Sequence, residues 1–225
     1  LFAAGLAPTG AKDPFGLRRA AIGVVQPLIE HNVDFDLAEA VKKSAKTQPI
    51  EVSDKVQTQV LEFITGRLNV VLKDMGYKYD VVDAVLAEQS ANPSAAANAV
   101  KQLENWVKRE DWSTILPGYA RCVRIIRSAS VTSDQLPVIS EKLLVEAEEK
   151  RLYEAFNVQR STFNGSSVDE FLDIVVNLIP AINAFFDKVL VMAEDEKVKQ
   201  NRLALVGQIA NLSHGLADLS KLEGF

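Results

Sequence analysis

Apolar positions recur at helical spacing along nearly the whole chain, most clearly over residues 179–219. There Ile182, Phe185, Phe186, Val189 and Leu190 return three and four residues apart. Val198, Leu203, Leu205, Val206, Ile209 and Leu212 do so again after the acidic step Ala193-Glu194-Asp195. Residues so spaced share one face of a 3.6-residue period. The pattern therefore predicts two helices, with Asp195 capping the second by accepting an orphan backbone N–H. Such wide apolar faces pack on each other and on the helices that precede them. Arg202 lies beside this face with Asn201, a place expected of a surface or salt-bridged arginine.

The same spacing organises the rest. Gly5, Pro8 and Gly10 break an opening helix, and Asp13-Pro14 reads as the start of the next, with aspartate as cap and proline in the first turn. Its apolar face is Phe15, Leu17, Ala21, Ile22, Val25, Leu28 and Ile29, and Pro27 predicts a kink. Residues 34–46 form a short amphipathic helix with basic residues late, as the helix dipole favours. The polar stretch 47–53, with one proline and a cap-type Ser53, is the best linker and sets the expected domains at 1–48 and 49–225. Residues 54–75 make a long helix stopped by Gly76, with Val56, Val60, Phe63, Ile64, Leu68, Val71 and Leu72 inward and Arg67 on the flank. Short helices begin at Asp80 and at Asn92-Pro93, and another covers Trp112 to Ser128, where Pro117 predicts a break at Leu116. Ser140 reads as the start of an acidic helix over 141–156, followed by a loop at 157–167. Ser167 and Glu170 form a capping box for a helix separated by Pro180 from the final pair. No strand alternation and no repeat period is visible, so the class is all-α, a multi-helix bundle of about ten helices.

Composition narrows the function without fixing it. The chain has 225 residues, 48% of them hydrophobic and 24% charged, with a formal net charge of −5. This balance is ordinary for a globular protein, and no apolar run is long enough to span a bilayer. The single cysteine, Cys122, fits a reducing, cytoplasmic setting and sits on an apolar helix face, as a small buried hydrophobe rather than a nucleophile. His31, Cys122 and His214 make no zinc spacing. The opening LFAAGLAPTG lacks the basic region of a signal peptide and reads as the end of a helix in a longer protein. No phosphate-cradling glycine motif, nucleophile elbow or metalloprotease signature occurs. Carboxylate neighbours such as Glu148-Glu149 and Asp195-Glu196 read as solvated charge. The residues alone describe a helical binding or assembly module.

The densest positive feature is Arg121, Arg124 and Arg127, repeated at i, i+3 and i+6 on one helix face. Two readings stand: a solvated face with acidic partners, or a phosphate track, since arginine makes bidentate phosphate contacts.

Three segments carry a family resemblance. GLAPTGAKDPFGLRRAA (5–21), FITGRLNVVLKDMGYKYDVVDAVLA (63–87) and INAFFDKVLVMAEDEKVKQNRLALVGQI (182–209) resemble, in order, motifs near the C-terminus of the bacterial-type glycyl-tRNA synthetase β subunit. Lys199 stands where that family usually has arginine, and Val206 where it usually has leucine. The resemblance implies that residues 1–48 end a His-Asp-type helical domain and that residues 49–225 are an anticodon-binding domain similar to the DALR domains of some class I synthetases. It implies an enzyme that joins glycine to tRNA, using ATP and magnesium in a catalytic part outside this stretch, so neither cofactor nor metal is assigned to these residues. The implied partners are the tRNA(Gly) anticodon loop and the synthetase α subunit or an α-like region, with no membrane. Under it, candidate RNA contacts are Arg121, Arg124, Arg127, Arg160, Lys199, Arg202 and Arg67, with Phe163 as a stacking residue. A glycine anticodon ends in two cytosines, whose N4 groups need an acceptor near a cationic phosphate clamp. Arg67 and Arg202 have an alternative role, bridging helices to a carboxylate such as Asp187 or Asp195. The alternative function is a structural module for α/β assembly without RNA contact.

Overall fold

The structure, a computed structural model, describes residues 1–10, 12–130 and 137–225; Ala11, inside the first motif segment, lies outside them. Among the described residues there are nine α-helices, several 3-10 turns, one isolated bridge between Thr9 and Lys12, and no strand. The helices are α1 (Leu17–Glu30), α2 (Leu37–Ala45), α3 (Asp54–Asp74), α4 (Tyr79–Gln89), α5 (Pro93–Val107), α6 (Trp112–Ser128), α7 (Ala147–Arg160), α8 (Val168–Lys188) and α9 (Glu196–Ala210). They divide into two compact units, Leu1–Glu104 and Asn105–Phe225.

In the first unit α1, α2 and α4 all pack against α3. Local capping starts the helices: Asp36 accepts from the Glu39 amide at 3.0 Å, and Ser53 from the Val56 amide at 3.4 Å. Leu68, Val71 and Leu72 bury the second half of α3, and Gly76 stops it at φ 94°, a conformation that favours glycine. Asp13 does accept from the Leu17 and Arg18 amides, both at 2.9 Å, but a turn intervenes and α1 begins only at Leu17. Pro14 thus precedes the helix instead of occupying its first turn. The linker expected at 47–53 lies inside this unit, between α2 and α3. Cross-links on either side of it explain why. The Leu37 amide donates to the Ala91 carbonyl at 2.9 Å, and Asn32 Oδ1 accepts from Ser94 Oγ at 2.8 Å and Asn98 Nδ2 at 3.0 Å.

The second unit is built round α9. Every residue from Asn201 to Gly207 is buried, as is Ile209. Asp195 caps α9 by accepting from the Lys197 and Val198 amides. Against α9 lie α6 and α7, and α8 packs on both of these. Tyr119, Phe171 and Phe185 are the largest fully buried side chains, with the Tyr119 and Phe171 rings edge to face at 5.5 Å. The α6–α8 approach is close enough that a Cβ at Gly118 would lie 2.6 Å from Ile179 Cδ1.

Two expected breaks, at Pro117 and Pro180, are absent. Pro117 lies inside an unbroken α6, Pro180 inside α8, and Pro27 inside α1. All three prolines are exposed. Their rings project into solvent, where water can bond the carbonyl left without its usual N–H donor. Two boundaries also move. The segment after Ser140 makes only a 3-10 turn, Glu141–Leu143, and α7 starts at Ala147 behind a capping box of Glu146 and Glu149. The helix then runs to Arg160, four residues into the expected loop. Ser167 does accept from the Glu170 amide at 3.1 Å, but the Glu170 carboxylate turns to the loop before it.

Candidate nucleic-acid interface

The arginine face of α6 follows from its opposite side. Tyr119 and Cys122 point into the core, so Arg121, Arg124 and Arg127 are turned outward. Burial pushes the Cys122 thiol up to about 12, which leaves it an inert hydrophobe. Burial likewise raises Tyr119, whose hydroxyl donates to the Ala210 carbonyl at 2.5 Å.

The three arginines differ in what they touch. Arg121 Nη2 pairs with Asp187 Oδ1 at 3.1 Å, and its guanidinium lies 4.7 Å from the Phe186 ring centre on α8. Arg127 Nη2 donates to Ser220 Oγ at 2.8 Å and reaches Asp218 Oδ1 at 3.4 Å. Arg124 is exposed, packs 5.4 Å from the Phe225 ring, and has no carboxylate partner among the described residues. Arg127 keeps 57% of its side-chain surface and Arg121 36%, so both pairs stay open to water. Such exposed pairs are weak enough for a phosphate to replace the carboxylate.

Arg160 and Phe163 come together at the end of α7, with the guanidinium 5.8 Å from the ring. They form one side of a polar cavity of about 370 Å³. Its other side is the C-terminal end of α9, with Gln208, Asn211 and Leu212. Gln208 and Asn211 were not singled out in the sequence. The signal available was Gln208 itself, a polar residue set in the otherwise apolar run from Leu203 to Ala210. The loop carrying Phe163 is tied down by Glu170, whose oxygens accept from the Asn164 amide at 2.7 Å and the Ser166 amide at 3.0 Å. Those backbone donors, Asn164 first, hold the Glu170 carboxyl below the usual range.

The remaining candidates are elsewhere. Lys199 pairs with Glu196 at 2.6 Å along α9 and is 24% exposed. Arg67, in the first unit, lies 5.8 Å from the Phe63 ring, and its Nε is buried without a hydrogen-bond partner. Arg202 must be taken off the set. It is 7% exposed, donates from Nε to Glu149, and gives a further bond to the Leu190 carbonyl at 2.7 Å. Its partner is Glu149, not Asp187 or Asp195. No RNA reaches a guanidinium so enclosed.

Among the described residues no group of His, Cys, Asp and Glu is arranged to hold a metal, and no helix is long and apolar enough to cross a membrane. The arrangement is one of cations, aromatic rings and amides, groups suited to gripping a polyanion with exposed bases.

Comparison with known proteins gives a consistent answer. The family model described as glycyl-tRNA synthetase beta subunit matches residues 1–87, and that of the DALR anticodon binding domain matches residues 115–219. A glycine–tRNA ligase of Arabidopsis thaliana, chloroplastic/mitochondrial, is 36% identical over 226 residues, covering 100% of this chain and 21% of that protein. The glycine–tRNA ligase beta subunits of Shewanella woodyi and Myxococcus xanthus are 35% and 34% identical, each covering 99% of this chain and 33% of the relative. The chain thus spans about a third or less of the relatives it matches. By these matches it belongs to the glycyl-tRNA synthetase β-subunit family, with a DALR domain in its second half.

Proposed function

We propose that this chain grips tRNA(Gly) at its anticodon loop within a glycyl-tRNA synthetase. Attachment of glycine, with ATP and magnesium, belongs to a catalytic part contributed by an α subunit or α-like region. The observation that carries this reading is the overlap between the DALR match and the open arginine face of α6. A net charge of −5 makes diffuse attraction to RNA weak, so a local cluster of cations must supply it. The single cysteine, buried and unpaired, supports a cytoplasmic place of work.

The test is binding of the 225-residue chain to a glycine anticodon stem-loop, and to one with both cytosines replaced, over a series of salt concentrations. Preference for the cytosine loop, with affinity falling steeply in salt, supports the reading. Equal or absent binding to both loops at low salt overturns it.

A second reading, assembly of α and β parts without RNA contact, has one observation in its favour. The first unit carries an apolar groove of about 450 Å³, with Val24, Leu37, Val41, Val56, Val60 and Ile64 on its walls. Surfaces of this kind mark contacts with other protein.

A further inference from the structure

The loop between α7 and α8 holds the sequence's single Asn-Gly pair, Asn164-Gly165. Asparagine is among the thermolabile residues. Its side-chain amide is lost when the next backbone nitrogen closes a five-membered ring on Cγ. Glycine obstructs that closure least, since it has no Cβ. The structure leaves the nitrogen available. Glu170 Oε1 accepts from the Asn164 amide at 2.7 Å, and Oε2 from the Ser166 amide at 3.0 Å. The Gly165 amide between them donates to no group among the described residues. Asn164 and Gly165 are both exposed, so water and hydroxide reach them. Other exposed asparagines differ. Asn98, Asn105, Asn157 and Asn177 lie inside helices, where the following amide is taken by a carbonyl one turn back. Asn32 precedes Val33, whose amide donates to the Leu28 carbonyl at 2.9 Å, and Asn211 precedes the bulky Leu212.

We infer that Asn164 is a site of spontaneous deamidation, at which water turns the side-chain amide into a carboxylate by way of a cyclic imide with Gly165. The Gly165 nitrogen gives up its proton and bonds to Asn164 Cγ. The Cγ–Nδ2 bond breaks, and that nitrogen leaves as ammonia. Water, the only co-reactant, then opens the imide. Attack at Cγ restores the original main chain with aspartate at position 164. Attack at the main-chain carbonyl of residue 164 gives isoaspartate, whose chain runs through Cγ and is longer by one carbon. Either product sets a carboxylate beside Glu170, because the Asn164 side chain is among the groups that bond to the Glu170 carboxylate. A donor is exchanged for a like charge, which disfavours the ionised Glu170 that ties the loop together. The change loosens the turn that carries Phe163.

The experiment holds the 225-residue chain at mildly alkaline pH, folded and in urea, and maps its peptides by mass over days. Asn164→Gln, whose longer side chain does not close the five-membered ring, is held alongside. The folded chain should gain acid at Asn164, as a mixture of aspartate and isoaspartate, while Asn157, Asn177 and Asn211 keep their amides. Hydrogen exchange at the Ser166 amide should quicken in step with the conversion and stay unchanged in Asn164→Gln. Asn164→Asp should show the quicker exchange without ageing. Conversion of Asn164 in urea, with its amide retained in the folded chain, would show that the fold protects the site and would overturn the inference. Conversion that leaves Ser166 exchange unaltered would overturn the loosening of the loop.

Discussion

Glu149 and Arg202 stand fifty-three residues apart in sequence and meet as an ion pair inside the second unit, at 0% and 8% side-chain exposure. The carboxylate is fully engaged, since it also accepts from the Val145 amide at 2.5 Å and the Glu146 amide at 3.0 Å. One pair thus sets where α7 begins and fixes it to the central helix α9. Next to it, Asn201 Oδ1 accepts from the Ser140 amide at 2.7 Å and Nδ2 donates to the Ser140 carbonyl at 3.1 Å. Adjacent residues of α9 thereby hold both ends of the segment 140–149.

Removing one partner leaves a charge buried without compensation. Arg202→Met should cost about 3–5 kcal/mol in urea denaturation. Adding Glu149→Gln should recover a good part of it, because a neutral amide oxygen still accepts from the two backbone amides. RNA affinity measured on the folded variant should be unchanged, since neither side chain reaches solvent. A weakened affinity with intact stability would contradict this assignment.

Phe185 and Phe186 are neighbours with different duties. Phe185 is 0% exposed, and its truncation to alanine should cost about 3–5 kcal/mol. Phe186 is half-buried, edge to face with Phe185 and beneath the Arg121 guanidinium. Phe186→Ala should cost visibly less in thermal or chemical denaturation, because part of the ring already faces water. Equal losses would place Phe186 in the core, as its helical spacing suggests.

Much of the fold was legible because much of it is local. The caps at Ser53, Ser167 and Asp195 depend on residues two or three positions away and were read correctly. Pro117 and Pro180 misled because a proline's effect on a helix depends on which face it occupies, and that is decided by packing. The start of α7 was obscured for a similar reason. Ser140 has the right chemistry for a cap, but Asn201 takes its backbone from sixty-one residues away. The same limit governs the candidate site. The outward face of α6 could be read from periodicity, whereas the Asp187 and Asp218 partners, 66 and 91 residues distant, could not. Gln208 and Asn211 gain meaning only once α9 ends beside Arg160.

Acid should loosen the Phe163 loop before it loosens the core. The Glu170 carboxyl titrates below its ordinary 4.5 in the folded chain. The stabilisation it gives is therefore complete above that value and is lost as pH falls through the lowered folded value. Amide resonances of Asn164 and Ser166 should follow one titration below pH 4.5. Glu170→Gln should abolish that titration and weaken binding of the cytosine loop at neutral pH. Resonances that do not respond to acid would show that other contacts hold the loop.

Arg124 is the arginine of α6 without a carboxylate partner among the described residues, so it isolates charge from packing. The most direct measurement is the salt dependence of binding to the glycine anticodon stem-loop by the unaltered chain and by Arg124→Ala, with thermal midpoints alongside. If this face grips RNA, the variant binds more weakly, its logarithmic salt slope falls by about 0.7 to 1, and its midpoint stays within a degree or two. An unchanged slope and affinity, or a midpoint that drops while affinity holds, would contradict the account.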